Sequence, residues 1–291
     1  MGQGRTPPSS SSSPTQDIEN RTANEGPQNE REMPPPPPAP EPWTPWLMSL
    51  VFVADVAVFV YTMYVNDCPH TSGPENCLWL KKLGALDWKL VVEDKEYWRL
   101  VSCMWYHAGV IHLAVNMMSL LFLGIRLEQE FGFLRIGPLY MISGLGGSLA
   151  SALSQGRKKT ISVGASGALF GLLGAMLSEL ITNWSNYTNK CSALSTMVLI
   201  ICLNLAVGFL PQVDNSAHIG GFISGLLAGF VLLIRPQFEY ISPRHVPEGY
   251  RIKHKVPKHR LYQYVLFGIA LVLLIIGFAV GLERLLAGKT I

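Results

Sequence analysis

Seven apolar runs, each about as long as a membrane is thick, dominate this sequence. A helix needs roughly 17–25 predominantly apolar residues to cross the hydrocarbon core of a bilayer. The runs occupy residues 46–65, 104–125, 136–153, 161–181, 193–210, 217–234 and 261–282. Only 15% of the residues are charged, whereas soluble domains have about 25%. The sequence therefore predicts an all-α polytopic membrane protein in contact with the lipid bilayer.

The polar segments divide the chain into four parts. Residues 1–45 are rich in proline and serine, and such a segment cannot bury enough apolar surface to fold, so we expect it to be disordered and cytosolic. A six-span core is predicted over residues 46–234. A basic cytosolic linker with seven Lys or Arg and two Glu follows over residues 235–260. Residues 261–291 then supply a seventh transmembrane helix and a short tail.

The first loop, residues 66–105, contains five tryptophan or tyrosine residues. Such rings prefer the headgroup region of a bilayer, so the loop is predicted to be a structured element at the membrane interface. Cys68 and Cys77 lie in this loop beside prolines and a glycine. A disulfide between them is compatible with an oxidising lumen, and the sequence leaves the pairing open.

The distribution of basic residues predicts the orientation. The dense basic linker before the last span favours the cytosolic side, which places the N-terminus in the cytosol and the C-terminus in the lumen. Two glycosylation sequons, beginning at Asn183 and Asn186, then fall in a cytosolic loop and are expected to stay unmodified. Nothing in the sequence resembles a basic, aromatic-interleaved nucleic-acid surface, and the oligomeric state is not defined by it.

Four polar residues within the spans are candidates for chemistry, because polar groups in lipid are costly and are often functional. Ser166 lies near the start of the fourth span and His218 near the start of the sixth. His112 and Asn116 lie early in the second span and, being four residues apart, share one helical face. Even-numbered spans run in the same direction, so the four residues occupy one layer near one membrane face.

Small residues predict that the fourth and sixth spans approach closely. Gly221, Gly225 and Gly229 form a double GxxxG pattern after His218, and a glycine stripe adjoins Ser166. Close approach would place Ser166 within hydrogen-bond reach of His218, as a nucleophile and its base require. The sequence therefore predicts a Ser–His dyad. The donors for an oxyanion would be His112, Asn116 and the Ser166 amide, with Asp214 a helix N-cap.

Other interpretations of the same residues remain open. The glycines alone are typical of ordinary helix packing. His107, His112 and His218 could bind zinc, but they have no carboxylate or thiolate partner nearby, so we expect neither a metal nor a cofactor. Asp55, in the first span, is expected to bond within the bundle. Alternatively, Asp55 with His112 and His218 could form a proton path in a transporter, whose activity would survive Ser166→Ala and fail on Asp55→Ala.

Three motifs in order resemble those of the rhomboid intramembrane serine proteases. They are "HAGVIHLAVN" with His112 and Asn116, "GASGALFG" with Ser166, and "AHIGGFISG" with His218. The pairs Trp98–Arg99 and Glu128–Gly132 are also similar to family positions. The resemblance covers residues 46–234, and the seventh span is similar to the eukaryotic six-plus-one form. The Pro-rich head and "ELITNW" resemble plant secretory-pathway members, for which a Golgi location is expected.

The resemblance implies an activity and assigns further residues. A single-pass transmembrane substrate would unwind near the luminal face, Ser166 would attack its scissile carbonyl, and His218 would pass the proton to the leaving amine. Gly164 matches the small residue two positions before the nucleophile. Phe170 stands where tyrosine often stacks under the histidine. Inactive relatives that bind client helices without cutting them are the main alternative; those generally lack the serine or histidine, and this chain has both.

Overall fold

The fold is all-helical. A computed structural model describes residues 1–2, 41–65, 78–156, 160–184, 189–207, 214–237 and 258–290. In this part of the chain there are isolated β-bridges but no strand. The helices are α1 (Trp46–Val65), α2 (Leu78–Leu83), α3 (Trp88–Val92), α4 (Arg99–Ser102), α5 (Val110–Phe131), α6 (Phe133–Gln155), α7 (Ser166–Thr182), α8 (Lys190–Val207), α9 (Asn215–Leu232) and α10 (Leu261–Leu286).

The seven predicted spans correspond to the seven longest of these helices. By length and composition, α1, α5, α6, α9 and α10 are long and apolar enough to cross a membrane. Helix α7 is apolar but has only 17 residues, and α8 has 18. The protein is therefore an all-α polytopic membrane protein, as predicted. The division of the chain into four parts stays a prediction, because residues 3–40 and 238–257 lie outside the described residues.

Two predicted spans begin five or six residues too early. The second span begins at Val110, because residues Cys103–Trp105 form a 3₁₀ turn that belongs to the first loop. The fourth span begins at Ser166 itself, not five residues earlier. Gly164 has φ of +130°, which ends any helical continuation, and Ser162 exchanges two backbone hydrogen bonds of 2.9 Å with Leu86. Ser166 is therefore the first residue of a helix rather than an interior one.

The described part of the first loop, residues 78–105, is structured, and its place at the membrane interface stays a prediction. The buried Arg99 guanidinium of α4 donates hydrogen bonds to the carbonyls of Lys81 in α2 (2.6 Å) and of Ala85 in the segment after it (2.9 Å). Gly84, between these helices, has φ of +146°, a backbone conformation that favours glycine. Cys68 and Cys77 lie outside the described residues.

Glycines bring α6, α7 and α9 into backbone contact. A Cβ added to Gly221 would overlap the backbone of Gly167, and one added to Gly225 would overlap that of Gly171. A Cβ on Gly147 of α6 would lie 2.7 Å from the carbonyl oxygen of Ala217. The predicted close approach of the fourth and sixth spans is confirmed, with α6 as a third member of the packing.

Two buried carboxylates, those of Glu128 and Asp55, lie at α1, and only the first has hydrogen-bond partners among the described residues. Glu128 of α5 is fully buried and caps α1, because its two oxygens accept hydrogen bonds from the amides of Leu47 (2.9 Å) and Met48 (2.7 Å). Asp55 is also fully buried. Neither of its oxygens has a hydrogen-bond partner among the described residues, so the expected bond within the bundle is absent from this part of the chain.

Candidate active site

Ser166 is placed by a break in the chain. Ala165 occupies the N-cap position of α7 without a side-chain cap, and Ser166 occupies the first helical position. The first amides of a helix have no intrahelical acceptor, and the helix dipole is positive at that end. The N–H of Ser166 is therefore one of the amides able to bind a developing negative charge beside its own side chain.

His218 lies one turn into α9 and contacts the serine directly. Its Nε2 is 2.9 Å from Oγ of Ser166, and the ring is 6% exposed. Nδ1 has no hydrogen-bond partner among the described residues. The two side chains therefore meet as a nucleophile and base require, and within the described chain no carboxylate bonds the second nitrogen.

Asp214 caps α9, as predicted, and its carboxylate does not bond the imidazole of His218. Its Oδ1 accepts a hydrogen bond from the amide of Ala217 (3.1 Å). Its Oδ2 accepts hydrogen bonds from Ser151 Oγ and from Gln155 Nε2 (3.0 Å), both on α6. The carboxylate thus ties the start of the histidine helix to the end of α6.

Phe170 supports the imidazole from one turn below the serine. Its ring is 4.1 Å from the His218 ring, centroid to centroid, with an interplanar angle of 13°. The predicted stacking is therefore present without a phenolic hydroxyl. Since Phe170 is buried on α7, it restricts the tilt of the ring that faces Ser166.

His112 faces the serine from α5. A Cβ on Gly164 would lie 2.8 Å from Cε1 and 2.9 Å from Nε2 of the His112 ring, so the ring packs directly on this glycine. Its Nδ1 accepts a hydrogen bond from the amide of Ala108 (3.4 Å). A neutral imidazole that accepts at Nδ1 carries its proton on Nε2. His112 therefore presents an N–H donor on the side of Gly164.

Asn116 lies one turn after His112 and is buried. Its Nδ2 donates a hydrogen bond to the carbonyl of His112 (2.9 Å). An amide nitrogen has two hydrogens, so one remains for a ligand. The two residues line one cavity, as their spacing predicted.

A single cavity of 670 Å³ brings all six predicted site residues together. They are Ser166, His218, His112, Asn116, Gly164 and Phe170. The cavity continues along α5 past Val115, Ser119 and Leu123. Its walls are mainly apolar, with polar groups gathered around Ser166.

Sequence reasoning did not select several polar residues that line or support the site. Ser151 and Gln155, which hold Asp214, have the i, i+4 spacing of one helical face, and this was the available signal. Cys103 lies 3.2 Å from Ser148, Sγ to Oγ, and burial raises the pKa of its thiol to about 12. Cys103 therefore stays protonated and is not a second nucleophile.

His107 is a further residue near the site, in the loop before α5. It is fully buried, and its ring is 5.4 Å from the His112 ring in an edge-on arrangement. Burial, and to a lesser extent the neighbouring His112, lower the pKa of His107 to about 3. His107 is therefore neutral and packs behind the ring that faces Ser166.

Comparison with known proteins identifies the family of this chain. The model of the Rhomboid domain matches residues 94–235. The chain is 54% identical over 272 residues to RHOMBOID-like protein 5 of Arabidopsis thaliana, covering 86% of this chain and 88% of that protein. The chain belongs to the rhomboid family. RHOMBOID-like protein 1 of the same plant is 54% identical over 268 residues, covering 84% of this chain and 68% of that protein.

Named activities differ among rhomboid relatives. Rhomboid protease GluP of Bacillus subtilis is 33% identical over 185 residues, covering 63% of this chain and 34% of that protein. Inactive RHOMBOID-like protein 8 of Arabidopsis thaliana is 42% identical over 223 residues, covering 69% of this chain and 63% of that protein. The rhomboid family therefore includes both proteases and inactive proteins. The activity of this chain has to be inferred from its own site.

Proposed function

We propose that this rhomboid is an intramembrane serine endopeptidase that uses a Ser166–His218 dyad. The observation that supports it most directly is the 2.9 Å contact between Ser166 Oγ and His218 Nε2. A rhomboid that only binds client helices has no need of a buried imidazole stacked and aimed at a serine. The dyad, together with the donors around it, favours catalysis over binding alone.

The first half of the reaction forms an acyl-enzyme. Oγ of Ser166 attacks the scissile carbonyl carbon while its proton passes to Nε2 of His218. The carbonyl oxygen becomes an oxyanion beside the Ser166 amide, the Nε2–H of His112 and the second amide hydrogen of Asn116. Collapse of this intermediate breaks the C–N bond, and the leaving amine takes the proton from His218.

The second half releases the new carboxyl terminus. Water gives a proton to His218 Nε2 and attacks the ester carbonyl carbon, and the same donors stabilise the second oxyanion. Breaking the ester bond returns the proton to Ser166. Phe170 keeps the imidazole in one plane through both proton transfers, because its ring stacks on that of His218.

The shape of the cavity supports a single-pass transmembrane protein as the substrate. The cavity extends from Ser166 along α5, and the α5 residues Ile111, Val115 and Phe122 have exposed apolar side chains. An apolar chain in the bilayer could therefore reach the serine without leaving an apolar surface. We propose that cleavage occurs in or near the transmembrane segment of such a protein.

A cleavage assay in proteoliposomes tests this proposal. The probe is a single-pass helix with a Gly- and Ala-rich outer third, fused to a fluorescent reporter. Wild type and Asp55→Asn are expected to release the reporter. Ser166→Ala and His218→Ala are expected not to release it. Cleavage by Ser166→Ala would contradict the mechanism. Crosslinking of the uncut probe to folded wild type would favour the client-binding alternative. The transporter alternative predicts no cleavage, and an activity that survives Ser166→Ala and is lost when Asp55 is substituted.

We also propose an orientation and a division of the chain. Residues 1–45 and the linker 235–260 are cytosolic, residues 46–234 form the proteolytic core, and the C-terminus is luminal in a secretory-pathway membrane, the Golgi. Asn183 is fully buried and donates to Glu179 (3.0 Å), so its sequon cannot accept a glycan in this fold. A glycosylation acceptor site added after residue 291 is expected to be glycosylated. Glycosylation of an acceptor site added at residue 2, and not of the C-terminal one, would reverse the proposed orientation.

A further inference from the structure

The C-terminal end of the serine helix is buried. Thr182, the last residue of α7, and Asn183 have no exposed surface. With 17 residues, α7 is about 25 Å long, shorter than the roughly 30 Å hydrocarbon core. The last carbonyls of a helix have no intrahelical donors, and without water they need donors from elsewhere in the protein.

Helix α10 supplies most of these donors. The Thr182 carbonyl oxygen accepts hydrogen bonds from Tyr262 Oη (2.8 Å), Gln263 Nε2 (3.2 Å) and Gln237 Nε2 (2.8 Å). Tyr262 and Gln263 lie in the first turn of α10. The appended seventh helix thus completes the cap of the helix that begins at Ser166.

Gln263 also reaches the end of the histidine helix. It is fully buried, and its Oε1 accepts a hydrogen bond from the amide of Arg260 (2.8 Å). Its Nε2 donates to the carbonyl of Arg235 (2.9 Å), three residues after α9. Asn183 reinforces the junction by donating to Leu233 O (3.1 Å). One buried amide therefore joins the ends of α7 and α9 opposite to the dyad.

The way in which α7 and α9 pack gives this junction an influence on the relative position of the two helices. The two helices touch through glycine backbones at Gly167–Gly221 and Gly171–Gly225. At these two positions the glycines present no side chains that could oppose sliding along the helix axes; further along, the Ser178 side chain of α7 packs on Gly229 of α9. The polar contacts at the helix ends therefore help to fix the relative axial position of Ser166 and His218.

The rest of α10 is fixed to the core by sparse packing. Its buried residues are Gln263, Ala270, Gly281 and Leu285. A Cβ on Gly281 would lie 2.7 Å from Cδ2 of Leu149 on α6. Most other side chains of α10 are exposed and apolar, as for a lipid-facing helix. Gln263 is the hydrogen-bonding side chain among the buried residues of this helix.

We propose that α10 is a positioning element of the protease, with Gln263 and Tyr262 as its positioning residues. By capping α7 and joining it to the segment after α9, these residues set the register in which Ser166 meets His218. This inference rests on the proposed serine-protease function. It assigns the seventh helix a role in the reaction that membrane anchoring alone does not give.

The experiment uses the full-length protein in detergent and a fluorophosphonate probe that reacts with activated serines. The limiting labelling rate (kinact) and the half-saturating probe concentration (KI) are measured for Gln263→Leu and Tyr262→Phe. The matched control is Tyr264→Phe, because Tyr264 lies in the same turn but is 59% exposed. Folding of each variant is checked by circular dichroism, and rates are measured well below the unfolding temperature.

Gln263→Leu is expected to lower kinact by about tenfold, since small misplacements of reacting groups are costly, with KI unchanged. Tyr262→Phe is expected to lower kinact less, and Tyr264→Phe to match wild type. A wild-type kinact in folded Tyr262→Phe and Gln263→Leu, or an equal loss in Tyr264→Phe, would overturn the positioning role. If Gln263→Leu does not fold, the two tyrosine variants decide. An unlabelled wild type would instead overturn the proposed function itself.

Discussion

His218 Nε2 and Ser166 Oγ lie 2.9 Å apart although 52 residues separate them in the chain. They belong to two helices whose glycines let the backbones touch. The contact depends as much on the absence of side chains at Gly221 and Gly225 as on the presence of the two reactive groups.

Gly225→Ala is expected to damage both the fold and the dyad. The added Cβ would overlap the Gly171 backbone, and overpacking of this kind costs about 1–3 kcal/mol. Gly277→Ala is the control, because a Cβ at Gly277 of α10 has nothing within 4 Å. Thermal unfolding in one detergent checks this, and equal unfolding temperatures for the two variants would refute the backbone-contact account.

Phe170→Leu is expected to slow the reaction of Ser166 while leaving the fold intact. The stacked ring at 4.1 Å contributes roughly 0.5–1.5 kcal/mol, which corresponds to about a two- to tenfold loss of rate. Phe170→Tyr keeps the ring and is expected to retain the rate. The rate of labelling by a serine probe measures both, and a Phe170→Leu variant as fast as wild type would mean that stacking has no role.

Asp214→Ala is expected to destabilise the site by about 2 kcal/mol, since it removes a helix cap and takes the carboxylate acceptor from two donors on α6. Ser151 and Gln155 are those donors. Asn215→Ala, an exposed neighbour, is expected to change the free energy of unfolding by less than about 0.5 kcal/mol. Comparable losses in the two variants would indicate that the link to α6 is unimportant.

Much of the site could be predicted because it depends on periodicity. Residues 112 and 116 share a helical face, and residues 166 and 218 lie near the starts of spans that run in the same direction. Counting the spans therefore predicted that the four residues lie in one layer. The glycine pattern then predicted which spans approach. The start of α7 could not be predicted from hydropathy, because Ile161 and Val163 are apolar yet lie outside the helix, and the φ of +130° at Gly164 has no signature in the hydropathy pattern.

Contacts between distant helix ends were also beyond the sequence. Gln263 stands in a strongly apolar run, and its partners are carbonyl groups, which have no sequence signature. The bonds of Ser151 and Gln155 to Asp214 likewise depend on how α6 crosses α9. The burial of Asp55 could be predicted from its position in a span. Its lack of a hydrogen-bond partner in the described chain could not.

The central claim is that His218 activates Ser166, and the most direct measurement is labelling of the purified protein by a fluorophosphonate, with mass spectrometry to locate the adduct. Wild type, Ser166→Ala and His218→Ala are compared after each is shown to be folded. We predict an adduct on Ser166 in wild type and none at any residue in either variant. An unlabelled, folded wild type, or labelling that persists in His218→Ala at the wild-type rate, would contradict the claim.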